Sequence, residues 1–178
     1  MNSSEILISK IAVVGPESTG KSTMAKYLSS HFNLPYVPEY ARFYCKDLNN
    51  IYTAQDEINM FYGQIALEDA VLSMKPDILI ADTSILTIKI WSDHLFGKTP
   101  EIVLEEIKKK KHDLYLLMDI DLPWEDDPLR DFPLEREHFM KVWIKELEDL
   151  GTNYQIVSGQ GEERLLNGLE IVKSFINS

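Results

Sequence analysis

Five short apolar runs alternate along the chain with longer stretches in which apolar residues recur every three or four positions. Short β-branched runs predict strands, and the three-to-four spacing predicts helices. The predicted strands are residues 8–14, 36–37, 77–81, 113–118 and 154–157. The predicted helices are residues 20–31, 53–73, 84–96, 100–110, 134–150 and 162–175. Thr53, followed closely by the acids Asp56 and Glu57, predicts one helix start, and Gly151 predicts a helix end.

Regular alternation of strands and helices predicts an α/β fold. Such a chain forms a parallel sheet covered by helices on both faces, joined by right-handed crossovers. Because the carboxyl ends of parallel strands meet at one edge, ligands bind there. With 178 residues and no linker or repeat, residues 1–178 are expected to form one domain. The order of the five strands does not follow from periodicity.

Composition and charge limit the classes of molecule that this chain is expected to bind. Hydrophobic residues make up 44% and charged residues 26% of the chain, as in ordinary globular proteins. A formal net charge of −11 disfavours nucleic acid and favours a small-molecule partner. Residues 1–5 contain no basic segment followed by an apolar one, and no membrane span is expected. The single cysteine, Cys45, favours a cytoplasmic location. Oligomeric state is left open.

The segment between the first predicted strand and the first predicted helix contains the most specific motif. Residues 15–22 read Gly-Pro-Glu-Ser-Thr-Gly-Lys-Ser, which fits the phosphate-binding pattern G-x-x-x-x-G-K-[ST]. Backbone N–H groups and the helix dipole bind phosphate oxygens there. Lys21 is expected to reach the β- and γ-phosphates of ATP, and Ser22 to bind Mg²⁺. The expected ATP-binding residues are Gly15, Glu17, Ser18, Thr19, Gly20, Lys21, Ser22 and Thr23.

A second Mg²⁺ ligand is expected at the end of a neighbouring strand. Two aspartates follow four apolar residues, Asp82 after residues 78–81 and Asp119 after residues 115–118. Asp82 is preferred because Thr83 and Ser84 extend its polar cluster. A strand-end carboxylate also occurs as a helix cap, so the alternative of a purely structural acid stays open.

An acceptor site is suggested after the second predicted strand. Glu39 can orient and deprotonate a hydroxyl group, and Arg42 can bind phosphate or anchor the carboxylate. The alternative is a surface ion pair between Glu39 and Arg42 on one helix face. Gln64 in the next long helix and the ring of Tyr40 are further candidates for contact with the acceptor. Such residues also occur as ordinary core, which leaves both interpretations open.

A polar segment follows the fourth predicted strand. Residues 121–137 contain prolines, consecutive acids and two arginines, which suggests a lid. Arg130 and Arg136 can close over a transferring phosphoryl group, stabilise its charge and exclude water. Arg130 is also expected to contact ATP. The alternative is a surface loop whose acids and arginines pair with one another.

Together these segments resemble the ribosylnicotinamide kinase domain of bacterial NadR-type NAD-biosynthesis proteins. The resemblance covers nearly the whole chain and rests on residues 15–22, on Glu39-Tyr40-x-Arg42, on Asp82-Thr83, and on Trp124-x-Asp126-Asp127-x-Leu129-Arg130 with Arg136 beyond. It implies a nucleoside-kinase-like sheet of order 2-3-1-4-5. It also implies transfer of phosphate from MgATP to the 5′-hydroxyl of nicotinamide riboside. It supports Glu39, Asp82, Arg130 and Arg136 as catalytic groups beside Lys21 of the phosphate loop. Together with the interpretations above, the residues expected at the substrate are Glu39, Tyr40, Arg42, Gln64, Asp82, Trp124 and Asp127.

The chain departs from that family at three points. It contains no His-x-Gly-His nucleotidyl-transfer motif and nothing resembling a DNA-binding segment, so neither of those activities is expected. The family's Asp-Thr-Asp reads Asp82-Thr83-Ser84, which leaves the division between base and metal ligand open. Pro38 occupies a position that can be aromatic in the family. A kinase for another alcohol, such as thiamine or another nucleoside, and a non-catalytic nucleotide-binding switch are therefore kept as alternatives.

Overall fold

A single parallel sheet forms the centre of the molecule. The computed structural model describes residues 8–49 and 51–177, so residues 1–5, interpreted above for targeting signals, lie outside the described part. The strands are β1 (Ser9–Val14), β2 (Tyr36–Val37), β3 (Ile78–Asp82), β4 (Leu114–Met118) and β5 (Tyr154–Val157). Their order is β2-β3-β1-β4-β5, and every pairing is parallel. The predicted fold class and the expected order are confirmed.

Helices cover both faces of this sheet. They are α1 (Lys21–Phe32), α2 (Ala41–Tyr44), α3 (Ala54–Ser73), α4 (Leu86–Phe96), α5 (Glu101–Lys109), α6 (Arg136–Asp149) and α7 (Gly161–Ile176), with a 3₁₀ turn at Cys45–Asp47. Each of the six predicted helices is present and ends within two residues of its predicted bounds. The sequence analysis assigned no element to residues 41–47, because so short a helix leaves no periodic pattern. No helix in the described residues combines the length and apolarity that a bilayer span requires.

Two local signals at helix ends act as the sequence predicted. Thr53 precedes α3, its hydroxyl accepts a hydrogen bond from the Asp56 amide, and the Asp56 carboxylate accepts one from the Thr53 amide. This reciprocal arrangement satisfies two of the free amides at the helix start. Gly151 has a φ of 62° directly after Leu150, the residue that caps α6. A left-handed residue at that position ends a helix at little steric cost.

Apolar residues on the two faces of the sheet form two large cores, and Val37, Val71, Leu79 and Ala81 form a third, smaller cluster. In β1, Ile11 and Val13 pack with α1 and α7, whereas Ala12 and Val14 pack with α3, α4 and α6. β4 repeats this alternation from Leu114 to Met118. Both faces of these strands are buried, which explains why their sequences are continuous apolar runs rather than alternating ones.

The central strands end at the same edge, and the chain turns sharply there. Val13 of β1 is in register with Asp82 of β3 and with Leu116 of β4. After β1 the backbone of Gly15 adopts a φ of 137°, and a Cβ at this position would lie 2.9 Å from the Met118 carbonyl oxygen. Glycine is therefore required for the loop to pass this close to β4. Asp82 and the start of α1 are brought together by this turn.

Candidate active site

The loop between β1 and α1 is folded by its own side chains. The Lys21 ammonium and the Thr19 hydroxyl each donate a hydrogen bond of 2.8 Å to the Pro16 carbonyl oxygen. Lys21 is the first residue of α1, so the free amides of that helix start face the loop interior. Burial lowers the pKa of Lys21, opposed by the nearby carboxylates of Glu39 and Asp82. This is the arrangement that binds phosphate oxygens.

Arg164 in the first turn of α7 fastens this loop to the ends of β4 and β5. The side chain is buried, with 3% of its surface exposed. Its guanidinium donates to the carbonyl oxygens of Thr19 at 2.9 Å, Asp119 at 2.7 Å and Gly159 at 3.0 Å, and it pairs with the Asp121 carboxylate. One side chain therefore joins the phosphate loop to three other segments. The sequence analysis did not identify it.

The segment between β4 and α6, which includes the predicted lid, lies against the phosphate loop at Ser18. The Ser18 hydroxyl accepts hydrogen bonds from the Glu125 amide at 2.9 Å and from Arg130 at 3.4 Å. Arg136 donates to the Ser18 carbonyl oxygen at 3.2 Å and to the Leu122 carbonyl oxygen at 2.8 Å. Both arginines that the sequence analysis placed in the lid are therefore adjacent to the phosphate loop.

Glu17 holds the same segment from the opposite direction. Its carboxylate accepts hydrogen bonds of 3.2 Å from the amides of Asp131 and Phe132. Burial raises the pKa of Glu17, and these two amides oppose the increase. Glu17 occupies one of the four variable positions of the phosphate motif, and its side chain joins the loop to the predicted lid.

The Asp82 carboxylate lies beside Ser22 and Lys21. It accepts a hydrogen bond from the Ser22 side chain, while its Oδ1 is buried without a hydrogen-bond partner. Burial and the neighbouring Glu39 raise the pKa of Asp82 to about 6. A carboxylate oxygen without a partner next to a hydroxyl oxygen is the donor set that Mg²⁺ prefers, so these two residues fit a magnesium ion.

Asp119, the alternative metal ligand, has its oxygens engaged elsewhere. Its Oδ2 accepts from the Ser158 hydroxyl at 2.7 Å, and its Oδ1 accepts from the Ile120 amide at 2.8 Å. Asp119 thereby joins the ends of β4 and β5. Between the two aspartates, only Asp82 presents a free oxygen to Ser22.

Glu39, Arg42 and Asp127 form two consecutive ion pairs that connect α2 to the predicted lid. The Arg42 Nε lies 3.2 Å from the Glu39 carboxylate, within ion-pair distance but not aligned for a hydrogen bond. The Arg42 Nη1 donates to Asp127 Oδ2 at 3.1 Å, and the other oxygen of Asp127 accepts from the Leu129 amide at 2.9 Å. The three side chains predicted at the acceptor side are therefore in direct contact, and Arg42 links α2 to the lid.

A cavity connects the phosphate loop to the space between α3, α4 and α6. At one end it is lined by Gly15, Glu17, Ser18, Lys21 and Arg130, and Glu39 and Arg42 stand beside them. The other end, here called the acceptor pocket, is mostly apolar. Its wall includes Cys45, Met60, Ile90, Trp91, Phe139 and Trp143. A second opening, lined by Ser22 and Thr23, meets the same loop from the solvent side of α1.

Among the described residues, five that were predicted at the substrate are absent from the cavity lining: Tyr40, Gln64, Asp82, Trp124 and Asp127. The side-chain amide of Gln64 accepts from the Tyr40 amide at 2.8 Å and donates to the Pro38 carbonyl oxygen at 3.3 Å, which brackets Glu39. The Tyr40 ring packs directly over Gly63 of α3. Trp124 donates to Asp126 at 2.8 Å, and none of these side chains is among the described residues of the cavity wall. Their contact with substrate stays a prediction.

Two buried ionisable side chains next to the candidate site escaped the sequence analysis, although the sequence contains a signal for each. Glu57 lies on the buried side of α3 with Met60 and Phe61, and 3% of its surface is exposed. Arg164 occupies the buried side of α7 four residues before Gly168. A charged residue in phase with an apolar helical stripe is rare unless it is paired or functional. Helical periodicity therefore could have found both.

The sequence and fold of this chain match known proteins. A profile described as an AAA domain matches residues 10–164. The trifunctional NAD biosynthesis/regulator protein NadR of Escherichia coli K12 is 26% identical over 179 residues, covering 93% of this chain and 42% of NadR. The corresponding protein of Salmonella typhimurium is 24% identical with the same coverage. This chain thus spans about two fifths of the length of these relatives.

Solved structures agree with the sequence matches. A NadR protein crystallised with NR has a TM-score of 0.74 at 20% identity, covering 94% of this chain and 50% of that one. NadR with NAD and AMP-PNP has a TM-score of 0.73 at 22% identity, covering 94% and 49%. Thymidylate kinase from Ehrlichia chaffeensis has a TM-score of 0.60 at 15% identity, covering 94% and 98%. The resemblance to NadR-type proteins is confirmed. The profile covers most of the chain, which therefore belongs to the AAA domain family.

Proposed function

We propose that this chain is an ATP-dependent kinase that phosphorylates the 5′-hydroxyl of nicotinamide riboside to give nicotinamide mononucleotide. The observation that supports this most directly is the cavity that joins the phosphate loop to the acceptor pocket, with Glu39 beside the loop. Phosphoryl transfer needs a triphosphate and an alcohol held in line at one point. A nucleotide-binding switch has no need of a second pocket opening onto the phosphates.

The phosphate end of the cavity would hold ATP. The loop backbone and Lys21 bind the phosphate oxygens, and their fixed positions require no reorganisation during transfer. Ser22 and Asp82 would hold Mg²⁺, whose chemistry when bound is to neutralise charge on the β- and γ-phosphates. The free Oδ1 of Asp82 is the oxygen available for this purpose.

Glu39 would orient the acceptor alcohol and receive its proton. The alcohol oxygen forms a bond to the γ-phosphorus while the bond from that phosphorus to the β-γ bridging oxygen breaks, which releases ADP. The proton passes from the hydroxyl group to the Glu39 carboxylate. Arg42 keeps that carboxylate in place, since it lies 3.2 Å away and is itself tied to Asp127 of the lid.

Residues 121–137 would act as the lid of a single kinase domain spanning residues 1–178. Arg130 and Arg136 approach the phosphate loop from this segment, where positive charge stabilises the transferring group and closure excludes water. Arg130 would also contact bound ATP. Such a lid protects the phosphoryl group from hydrolysis.

The choice of nicotinamide riboside rests on the relatives. The two curated relatives described above have NAD biosynthesis in their names, and one NadR structure of the same fold was determined with NR. The aromatic side chains of the acceptor pocket suit a flat ring. With a net charge of −11, the chain suits a small-molecule substrate rather than nucleic acid, and we place it in the cytoplasm.

Acceptor-dependent release of ADP from MgATP tests this proposal. The panel contains nicotinamide riboside, thiamine and common nucleosides, and Glu39→Gln is compared with Asp47→Asn, an exposed acid on the adjacent 3₁₀ turn. We expect a response to nicotinamide riboside that is lost only in Glu39→Gln. A response to another alcohol would replace the substrate but keep the kinase. ATP binding without any acceptor-dependent release would favour the nucleotide-binding switch instead.

A further inference from the structure

Among the described residues that line the acceptor pocket, one ionisable side chain has a buried oxygen without a partner. Glu57 of α3 lines the pocket, has 3% of its surface exposed, and its Oε2 is buried without a hydrogen bond. An isolated buried carboxylate is unfavourable, because neither water nor a counter-charge replaces its lost hydration. Such a carboxyl group is either protonated or compensated by a positive charge from outside the chain.

A second glutamate on the same helix shows what a paired acid looks like in this protein. Glu68 is equally buried, with 2% of its surface exposed. Its carboxylate lies 3.9 Å from the Lys10 ammonium and 3.6 Å from the His112 Nε2. Glu57 has no such neighbour among residues 8–49 and 51–177. The two glutamates also differ in location, because Glu57 lines the acceptor pocket and Glu68 does not.

The groups around Glu57 are neutral or negative. The charge of Glu57 contributes to the raised pKa of Cys45 on the 3₁₀ turn and of Tyr52 before α3. The Tyr52 hydroxyl is hydrogen-bonded to Asp131 of the lid, which adds another carboxylate to this end of the cavity. Asp56 precedes Glu57 on its own helix and also disfavours its ionisation. This end of the cavity is therefore a region of negative potential.

The positive charges of the cavity wall are engaged at the other end. Lys21 donates to the Pro16 carbonyl oxygen, and Arg42 pairs with Glu39 and Asp127. These two cations are placed to bind phosphate groups, and neither forms an ion pair with Glu57.

We infer that Glu57 is the counter-charge for a heteroaromatic cation, an N-alkylated pyridinium or thiazolium ring, carried by the acceptor alcohol. This inference extends the proposed function by naming the feature of the substrate that the pocket selects. A ring with delocalised positive charge fits an apolar pocket better than an ammonium ion does, because it is weakly hydrated. Neutral nucleosides would leave the carboxylate unpaired and would bind less well.

Trp91 supplies the second element of such a site. Its indole lines the pocket and is fixed by Phe132 at 5.4 Å and Phe139 at 5.0 Å between ring centroids. Cations bind favourably over an indole face, most strongly where water is excluded. An anionic group and an aromatic face bordering one cavity form the usual receptor for an aromatic cation. Burial also raises the pKa of Glu57 to about 7, so cation binding should strengthen as the pH rises through that value.

Direct binding of a ring cation without ribose tests the inference independently of catalysis. The full chain is titrated with 1-methylnicotinamide, a pyridinium cation, and with neutral nicotinamide, by calorimetry and quenching of tryptophan fluorescence. We expect the cation to bind at least about tenfold more tightly than the neutral ring. This preference should increase from about pH 6 to about pH 8 in the wild type. Glu57→Gln should abolish both effects, whereas Glu57→Asp should retain part of the preference.

Glu68→Gln is the matched control, since it removes a buried acid from the same helix but outside the pocket, and it should leave the preference intact. Unchanged ATP affinity in Glu57→Gln verifies that the variant is folded. A wild type without preference for the cation, or a Glu57→Gln variant that keeps it, would overturn the inference.

Turnover separates this inference from the proposed function. The kcat/KM of nicotinamide riboside is compared with that of its reduced form, which has the same ribose and carboxamide but a neutral ring, and with that of thiamine, a thiazolium alcohol. Glu57→Gln should lower kcat/KM for the cation about 10- to 100-fold and leave the neutral form nearly unchanged. If nicotinamide riboside is phosphorylated equally by both proteins, the inference fails and the kinase stands. If Glu57-dependent cation binding occurs without any turnover, the inference stands and the proposed kinase activity fails.

Discussion

The two ends of the cavity differ in the charges that border them and in the number of hydrogen bonds that hold their backbone in place. At the phosphate end, Ser18 and Thr19 receive hydrogen bonds from Arg130 and Arg136 of the lid and from Arg164 of α7. At the acceptor end, Glu57 is buried without a hydrogen bond at Oε2. The phosphate loop is therefore organised before any ligand arrives, whereas the acceptor pocket is completed by what binds there. Stability should depend on the first end, and selectivity on the second.

Removal of Arg130 should have the largest effect at the phosphate end. Arginines that stabilise a transferring phosphoryl group contribute about 10³–10⁵ in rate in related systems, so we expect Arg130→Ala to lower turnover by about 10³. ATP affinity should change much less, because Lys21 and the loop backbone remain. Steady-state kinetics combined with equilibrium ATP binding measures both quantities. Arg136→Ala should behave in the same way, and comparable losses of turnover and affinity in either variant would contradict this role.

Arg164→Met should test how much the phosphate end contributes to stability. The variant leaves Asp121 Oδ1 and three carbonyl oxygens without the guanidinium donor, and removing one partner of a largely buried ion pair costs about 3 kcal/mol. Urea denaturation measures the free energy of unfolding. Lys173→Met on the exposed side of α7 is the control, with an expected change below about 1 kcal/mol. Equal losses in the two variants would show that Arg164 is no more than a surface charge.

The same contrast separates what the sequence predicted from what it did not. The phosphate loop is a local pattern of eight consecutive residues, and its flanking strand and helix are signalled by adjacent residues. Arg164 acts on Thr19, 145 residues away, and no local pattern encodes that contact. Its only signal is a charge in phase with an apolar stripe. The sheet order likewise came from family resemblance, because periodicity describes elements and not their neighbours.

The acceptor end shows a further limit of prediction from the sequence. The spacing of Glu39 and Arg42 indicated an ion pair, which the structure contains, but their link to Asp127 requires the lid to fold over α2. Gln64 was considered as a polar residue that could contact the acceptor, and its side chain binds the backbone on either side of Glu39. The hydrogen-bond partners of these residues lie far away in the sequence, so no local pattern could have predicted them.

Glu57→Gln should reveal the cost of the uncompensated acid. Burial raises the pKa of Glu57 from 4.5 to about 7, so the folded protein holds a proton that the unfolded chain has released between these values. Stability falls as the pH rises through this window and the loss is complete above about pH 7. Relative to wild type, we expect Glu57→Gln to gain about 2–3 kcal/mol between pH 4.5 and pH 8. A difference independent of pH in urea denaturation would contradict this assignment.

Gln64 offers the smallest but most discriminating test of the acceptor end. Gln64→Leu removes an acceptor from the Tyr40 amide and a donor from the Pro38 carbonyl oxygen, at a cost of about 1–3 kcal/mol in the free energy of unfolding. Gln64→Glu keeps an acceptor for the Tyr40 amide but places a buried carboxylate against the Pro38 carbonyl oxygen, so its cost should be at least as large.

Kinetics with several acceptors then distinguish the two roles considered for Gln64. If it positions Glu39 through the backbone, kcat falls by a similar factor for every alcohol, since the base is displaced from all of them. If it contacts the substrate, the KM of nicotinamide riboside rises while other acceptors are spared. We expect the first outcome, because both polar groups of the Gln64 side chain are already bonded to the backbone that carries Glu39.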